Sequence, residues 1–138
     1  MPVPLAPPER AIVQAVNAER TARGLPALRV TRKLSRSAER HSRDQLKHDR
    51  LAHESPDGTP FARRIARVAK YRAVGEVLAF APRGSASRGR AVVRLWMRSP
   101  PHRAQVLNPR YRVVGVGRVR GGLHGRRGAV VTADLAVR

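Results

Sequence analysis

From Tyr111 onward the hydrophobic pattern changes period, and that switch restricts the fold more than any other feature. Residues 111–119 and 129–137 are short apolar runs rich in valine. Between them lies Gly121-Gly122-Leu123-His124-Gly125-Arg126-Arg127-Gly128. Two strand-like runs joined by a glycine-rich stretch predict a C-terminal antiparallel β-hairpin, with 121–128 as its loop and His124 exposed at the tip. Gly115 and Gly117 are two apart, so they share one strand face. Missing side chains there predict another element packed very close to that face.

Upstream the pattern is helical. Ile12, Val13, Ala15 and Val16 recur at three-to-four spacing from Pro8, with Glu9 in the first turn and Gly24 as a stop. Asn17 and Arg20 share a face of this helix, and a solvated polar pair is the default reading. Leu25-Pro26-Ala27-Leu28 is an extended connector. Thr31 predicts the N-cap of a second helix reaching Asp49, with Leu34, Ala38, His41 and Gln45 or Leu46 on one face. His41 on that stripe reads as a hydrogen-bonded packing histidine. Pro56-Asp57-Gly58 is turn chemistry, and Thr59 is expected to cap a third helix with Pro60 at its first position. Phe61, Ile65 and Val68 form its buried stripe. Residues 71–80 read as a strand and 82–89 as a Gly/Ser/Arg loop. Residues 91–97, with Trp96, form a fourth helix that stops at Ser99-Pro100. Ser99 is expected to cap a short further helix through its hydroxyl, with Pro100 at the first helical position and His102 in the first turn. Near the positive end of the helix dipole that imidazole stays neutral. Asn108-Pro109 closes the helix. Helices first, a strand in the middle and a hairpin last predict an α+β fold with helices covering an antiparallel sheet. Residues 1–8 read as a Pro-rich tail and 9–138 as one domain.

With no cysteine, neither a disulfide framework nor a thiolate zinc site is available. No run of about 18 apolar residues occurs, so no spanning helix is expected. The first eight residues lack an apolar segment of signal-peptide length, which leaves the export route open. The formal net charge of +20 points to an anionic partner: nucleic acid, anionic lipid or an acidic cell-wall polymer. The 26 Arg and 3 Lys are spread over nearly every segment rather than gathered in an arm. A GC-rich genome would produce the same even spread. Phe61, Trp96 and Tyr111 sit at core-like positions and do not form a stacking platform for bases.

Three ionisable groups stand apart from their surroundings. His53 lies on a loop, Glu76 is the one carboxylate in the apolar run 73–80, and His102 starts a helix. A buried Glu76 demands donors, because burial without a partner would cost several kcal/mol, roughly. Two imidazoles and a carboxylate make a partial shell for zinc or another divalent metal if they converge. The alternatives are a solvated loop histidine at 53 and a turn brace at 102.

In order along the chain stand Val16-Asn17 with Arg20, Gly24-Leu25-Pro26-Ala27-Leu28, Leu34 with Ala38 and His41, His53 before Ser55-Pro56-Asp57-Gly58, Gly75-Glu76, Trp96-Met97-Arg98-Ser99-Pro100-Pro101-His102-Arg103 and Val114-Gly115-Val116-Gly117. This ordered set resembles the CAP superfamily of cysteine-rich secretory proteins, antigen 5 and plant pathogenesis-related proteins, in its small bacterial branch. The resemblance implies a three-layer α-β-α sandwich with a central antiparallel sheet. It also implies a cavity with two histidines and two acids, able to hold zinc in some members. His53, Glu76 and His102 match the first histidine, the first acid and the second histidine. The second acid falls at Ser99, and Val77 stands where the family usually has Asn. Both departures weaken the site and imply a water-completed metal shell or none.

Three functions follow as expectations. One is a monomeric, non-enzymatic binding module of the extracellular or cell-envelope side, with a His53/Glu76/His102 cleft and a basic surface for anionic envelope polymers or lipids. Another is an intracellular polyanion or nucleic-acid binder. The last is a peptidase or esterase using Ser99, His102 and Glu76, although a capping Ser99 hydroxyl would be occupied.

Overall fold

The computed structural model describes residues 4–84 and 88–138. The first three residues of the expected tail, and 85–87 of the expected loop, lie outside them. The element order is α1 (Pro7–Thr21), β1 (Arg29–Val30), α2 (Arg32–Lys47), α3 (Phe61–Ala66), β2 (Ala73–Pro82), α4 (Gly89–Arg98), α5 (Pro100–Val106), β3 (Val113–Leu123) and β4 (Arg126–Val137). The strands form one sheet in the order β1-β3-β4-β2. Its three long strands are antiparallel, and the two-residue β1 joins β3 in parallel, so the sheet is mixed. The fold is α+β, with α2 and α3 on one face and α1, α4 and α5 on the other.

The hairpin is longer and tighter than its glycines suggest. Strand pairing continues to Leu123↔Arg126, leaving only His124-Gly125 as the turn. Both have positive φ, 51° and 79°, the backbone of a two-residue hairpin turn whose twist suits the flanking strands. His124 is exposed but held: its N–H donates to Asp49 Oδ1 at 2.6 Å.

The two faces of the sheet differ in chemistry. Toward α1, α4 and α5 lies an apolar core that includes Ile12, Val16, Val93, Trp96, Val131 and Leu135. Trp96 is fully buried, and its indole N–H donates to the Leu78 carbonyl of the edge strand β2 at 2.9 Å. Toward α2 the apolar cluster is small: Leu34, Ile65, Val113 and Ala136. The same face also buries a group of polar side chains, Ser37, His41, Ser42, Gln45, Arg64, Glu76, Thr132 and Asp134.

Gly115 and Gly117 are the reason α2 can lie so close to the sheet. A Cβ at Gly115 would stand 2.1 Å from the Leu34 carbonyl carbon, and one at Gly117 would stand 2.1 Å from the Glu39 nitrogen. The expected close approach is therefore α2 backbone on β3. Thr31 caps α2 as expected, its hydroxyl accepting from the Leu34 N–H at 3.2 Å. Ser42 Oγ donates to the Gly117 carbonyl at 2.9 Å, pinning the same contact.

Several local expectations change. Arg20 is not solvated but fully buried. Its guanidinium donates to the carbonyls of Pro26, Val106 and Asn108 at 2.9 Å each and of Tyr111 at 3.1 Å. Asn17 grips the Leu28 backbone from both sides, by Nδ2–H to O at 3.0 Å and by Oδ1 from N–H at 2.7 Å. Thr59 does not cap α3: Pro60 holds that position, and the Thr59 N–H donates to Asp57 Oδ1. Ser99 is the N-cap residue of α5, but its hydroxyl makes no capping bond.

Gly117→Ala should lower stability by about 3 kcal/mol, because the obstructing atoms are helix backbone and cannot rotate away. Gly122→Ala, with its nearest atom at an ordinary 3.7 Å, should be neutral. Urea midpoints of the two variants check this. Equal effects would contradict the close-packed helix.

Candidate functional site

Glu76 faces the α2 layer from the edge strand β2, directly across from Asp134 of β4. Two carboxyls side by side inside a protein need a cation, and Arg64 of α3 provides it. Its Nη1–H donates to Asp134 Oδ2 at 3.0 Å and to Ser37 Oγ at 3.1 Å, while Nη2–H donates to Glu76 Oε2. The Arg64 side chain is 10% exposed and both carboxylates are fully covered.

One cation cannot balance two buried anions, and the two carboxyls divide accordingly. Burial, and then the hydrogen bond and charge of Glu76, raise Asp134 well above the ordinary aspartate range. Burial pushes Glu76 upward too. Hydrogen bonds from Asp134 and His53, with the charge of Arg64, outweigh it and leave Glu76 below its ordinary value. Asp134 is thus the protonated partner and Glu76 the ionised one. Asp134 Oδ1 finds no donor among the described residues. A proton on the group removes that need and makes Asp134 a donor to Glu76.

His53 joins from the loop after α2. Its Nδ1 lies 2.9 Å from Glu76 Oε1; a carboxylate only accepts, so Nδ1 carries the hydrogen, and Nε2 is the nitrogen with a free lone pair when the ring is neutral. That bond raises the His53 pKa, against partial burial. The side chain is 45% exposed, and its ring leans on Phe61 with centroids 5.7 Å apart. The loop is set from α2. His41 Nε2–H donates to the Ala52 carbonyl at 2.8 Å, and Gln45 Oε1 accepts from the Ala52 N–H at 2.7 Å. Both backbone groups just before His53 are therefore held by one helix face. His41 is the buried, hydrogen-bonded packing histidine the sequence suggested, kept neutral by burial. It also lies 3.8 Å from Glu76 Oε1.

His102 arrives from the other layer. α5 lies over Gly75, where Gln105 Oε1 and the Tyr111 hydroxyl fill the space a Cβ would take. Gly75 and Glu76 point to opposite faces of the edge strand. His102 is half-buried, and its pKa is lowered by that burial and then by the charge of His53. The imidazole is neutral as expected, but burial rather than the helix dipole is the principal cause. The structure thus joins His53 to Glu76 directly and brings His102 within electrostatic reach of His53. Ser99 sits at the start of the same helix.

As a metal shell this set does not close. Both Glu76 oxygens are engaged, one by a guanidinium that would repel a dication. Among the described residues no three His, Cys, Asp or Glu side chains are disposed to hold a metal ion. Glu76 instead takes the place of the carboxylate behind a histidine ligand, orienting the ring.

Two of the central residues escaped the sequence reading. Asp134 carried the same signal as Glu76, a lone carboxylate in an apolar strand. Arg64 carried none, being one of 26 arginines.

The fold and this arrangement define a CAP domain. A profile of the Cysteine-rich secretory protein family (CAP) matches residues 13–134, and the chain belongs to that family. It is 35% identical over 115 residues to an uncharacterized protein of Bacillus subtilis, YkwD; the match takes in 83% of this chain and 43% of that protein. The chain thus spans less than half of that relative. Among solved structures, it is similar to an extracellular protein containing an SCP domain from Bacillus anthracis. There the TM-score is 0.79 at 23% identity, over 99% of this chain and 45% of that one. An outer surface protein of Borrelia burgdorferi matches with TM-score 0.80 at 16% identity, over 100% and 98% of the two chains. These structural likenesses show the shared fold. No helix among the described residues is long and apolar enough to cross a membrane.

Arg64→Met should cost about 3 kcal/mol at neutral pH, since it leaves a buried carboxylate without its cation. Asp134→Asn, an amide in place of a protonated acid, should cost about 1 kcal/mol or less. Denaturant midpoints of the two variants check this. The reverse order would contradict the division of charge.

Proposed function

We propose that this chain is a non-enzymatic binding module of the extracellular or cell-envelope side. It presents the cleft between His53 and His102, and a strongly basic surface, to an anionic polymer or lipid headgroup. The observation that carries this reading is the commitment of Glu76. Its carboxylate is bound by Arg64 and His53 and its pKa is lowered, so it is neither a free base nor a nucleophile. A hydrolase would need that group released, and Ser99 has no base bonded to it among the described residues. The extracellular placement draws on the relatives, one described as extracellular and one as an outer surface protein.

A divalent metal, in this reading, is held by the two imidazoles with water completing the shell, and Glu76 steadies His53 from behind. Such an ion would give an anionic ligand group a fixed positive contact.

Calorimetric titration with zinc tests the cleft. Wild type should bind one ion weakly, and the His53→Ala/His102→Ala protein should give no site heat. Equal binding by both proteins would remove the metal from the reading.

A further inference from the structure

A concavity of about 600 Å³ lies at the far end of the hairpin, and none of its lining residues belongs to the His53–Glu76–Arg64 group. Arg83, Arg118, Arg120 and Arg127 line it, together with three glycines. The register explains the convergence. Arg118 and Arg120 are two apart on β3, so they share a face. Arg120 is opposite Ala129, which puts Arg127, two residues earlier on β4, on that face as well. Arg83 continues β2 past Pro82↔Gly128, its N–H donating to the Arg127 carbonyl at 3.1 Å. Three neighbouring strands therefore raise four guanidiniums from one face. Gly122, opposite Arg127, leaves the floor between them without a side chain. Further along the same face the sheet is covered by the apolar core under α1 and α4.

The charge there is not spent internally. Among the described residues no ion pair joins Arg83, Arg120 or Arg127 to a carboxylate. Arg118 feels Glu9 of α1, yet its Nε is buried without a hydrogen-bond partner among the described residues. Gathering like charges around a concavity is unfavourable unless an anion occupies it, and guanidinium forks match phosphate oxygens two at a time.

We propose that this four-arginine concavity is a binding site for a chain of closely spaced phosphate groups, of the kind carried by a phosphate-bearing polymer. The surroundings favour that class. Among the described residues no aromatic side chain lines the site, so bases have nothing to stack on. Among the described residues the exposed large hydrophobics, Leu51 and Leu95, are not part of its lining, so those residues give it no apolar edge to enter a bilayer. The inference deepens the function proposed above by placing its anionic partner. It rests on that reading only for where the polymer is met.

The test is calorimetric titration with tripolyphosphate at fixed ionic strength. Arg120 and Arg127 are exposed, so Arg120→Gln/Arg127→Gln should fold normally, which circular dichroism checks. That protein should bind about tenfold or more weakly than wild type. The exposed pair Arg63→Gln/Arg90→Gln carries the same charge change elsewhere and should stay within about twofold. His53→Ala/His102→Ala measures the share of the cleft and should lose less affinity than Arg120→Gln/Arg127→Gln. An equal loss in the control pair would mean diffuse charge and overturn the site. A loss in the histidine variant as large as or larger than in Arg120→Gln/Arg127→Gln would move the anion to the cleft, overturning the site while leaving the binding-module reading intact. No binding by wild type would also overturn it. So would binding only to duplex DNA or to phosphatidylglycerol vesicles, each of which would name a different partner.

Discussion

Arg64 holds two carboxyl groups that sit side by side beneath α2, and much of the molecule is arranged around making that burial tolerable. A buried ion pair is poor evidence of stability, because desolvation offsets much of the attraction. Its geometry matters more here. The guanidinium ties α3 to the two strands that carry Glu76 and Asp134, and to Ser37 of α2. Asp134 takes up a proton instead of a second cation. Glu76 keeps one oxygen for His53, so a loop histidine gains a fixed orientation from a core interaction.

The same economy appears elsewhere. The family is named for cysteines, and this chain has none. Arg20 joins α1 to the connector before β1, the end of α5 and the approach to β3 through four carbonyls. Those carbonyls end segments that would otherwise carry unpaired buried acceptors. Arginine suits the task because its donors are held in a planar fork. An arginine-rich composition thus contains at least two residues, Arg20 and Arg64, whose charge is turned inward and contributes nothing to the basic surface.

How much of this was legible in the sequence depended on local contrast. Glu76 announced itself as an acid among apolar residues, and Gly115 and Gly117 announced a close approach by lacking side chains. The Thr31 cap and the period change at Tyr111 were equally local. The hairpin turn was misjudged because strand pairing tolerated glycines that resemble loop. Arg64 could not be singled out, since burial is a property of the assembled fold and Arg63 stands beside it in sequence. Arg20 stood out with Asn17 on one helix face, but that spacing does not tell a solvated pair from a buried one. Ser99 kept its expected position at the head of α5 but not its hydrogen bond, a distinction that spacing does not encode. That His41 and Gln45 hold Ala52 follows from the path of a loop, which has no periodic signature at all.

If one proton and one guanidinium balance the two carboxyls, the charge state of the pair is the central fact of the structure. Side-chain carboxyl carbon resonances, followed by NMR across a pH titration with Glu76 and Asp134 assigned, measure it directly. The account predicts that Asp134 holds its proton well beyond the ordinary aspartate range and gives it up after Glu76, which ionises below the ordinary glutamate value. Finding both carboxyls titrating together in the usual acidic range would contradict it.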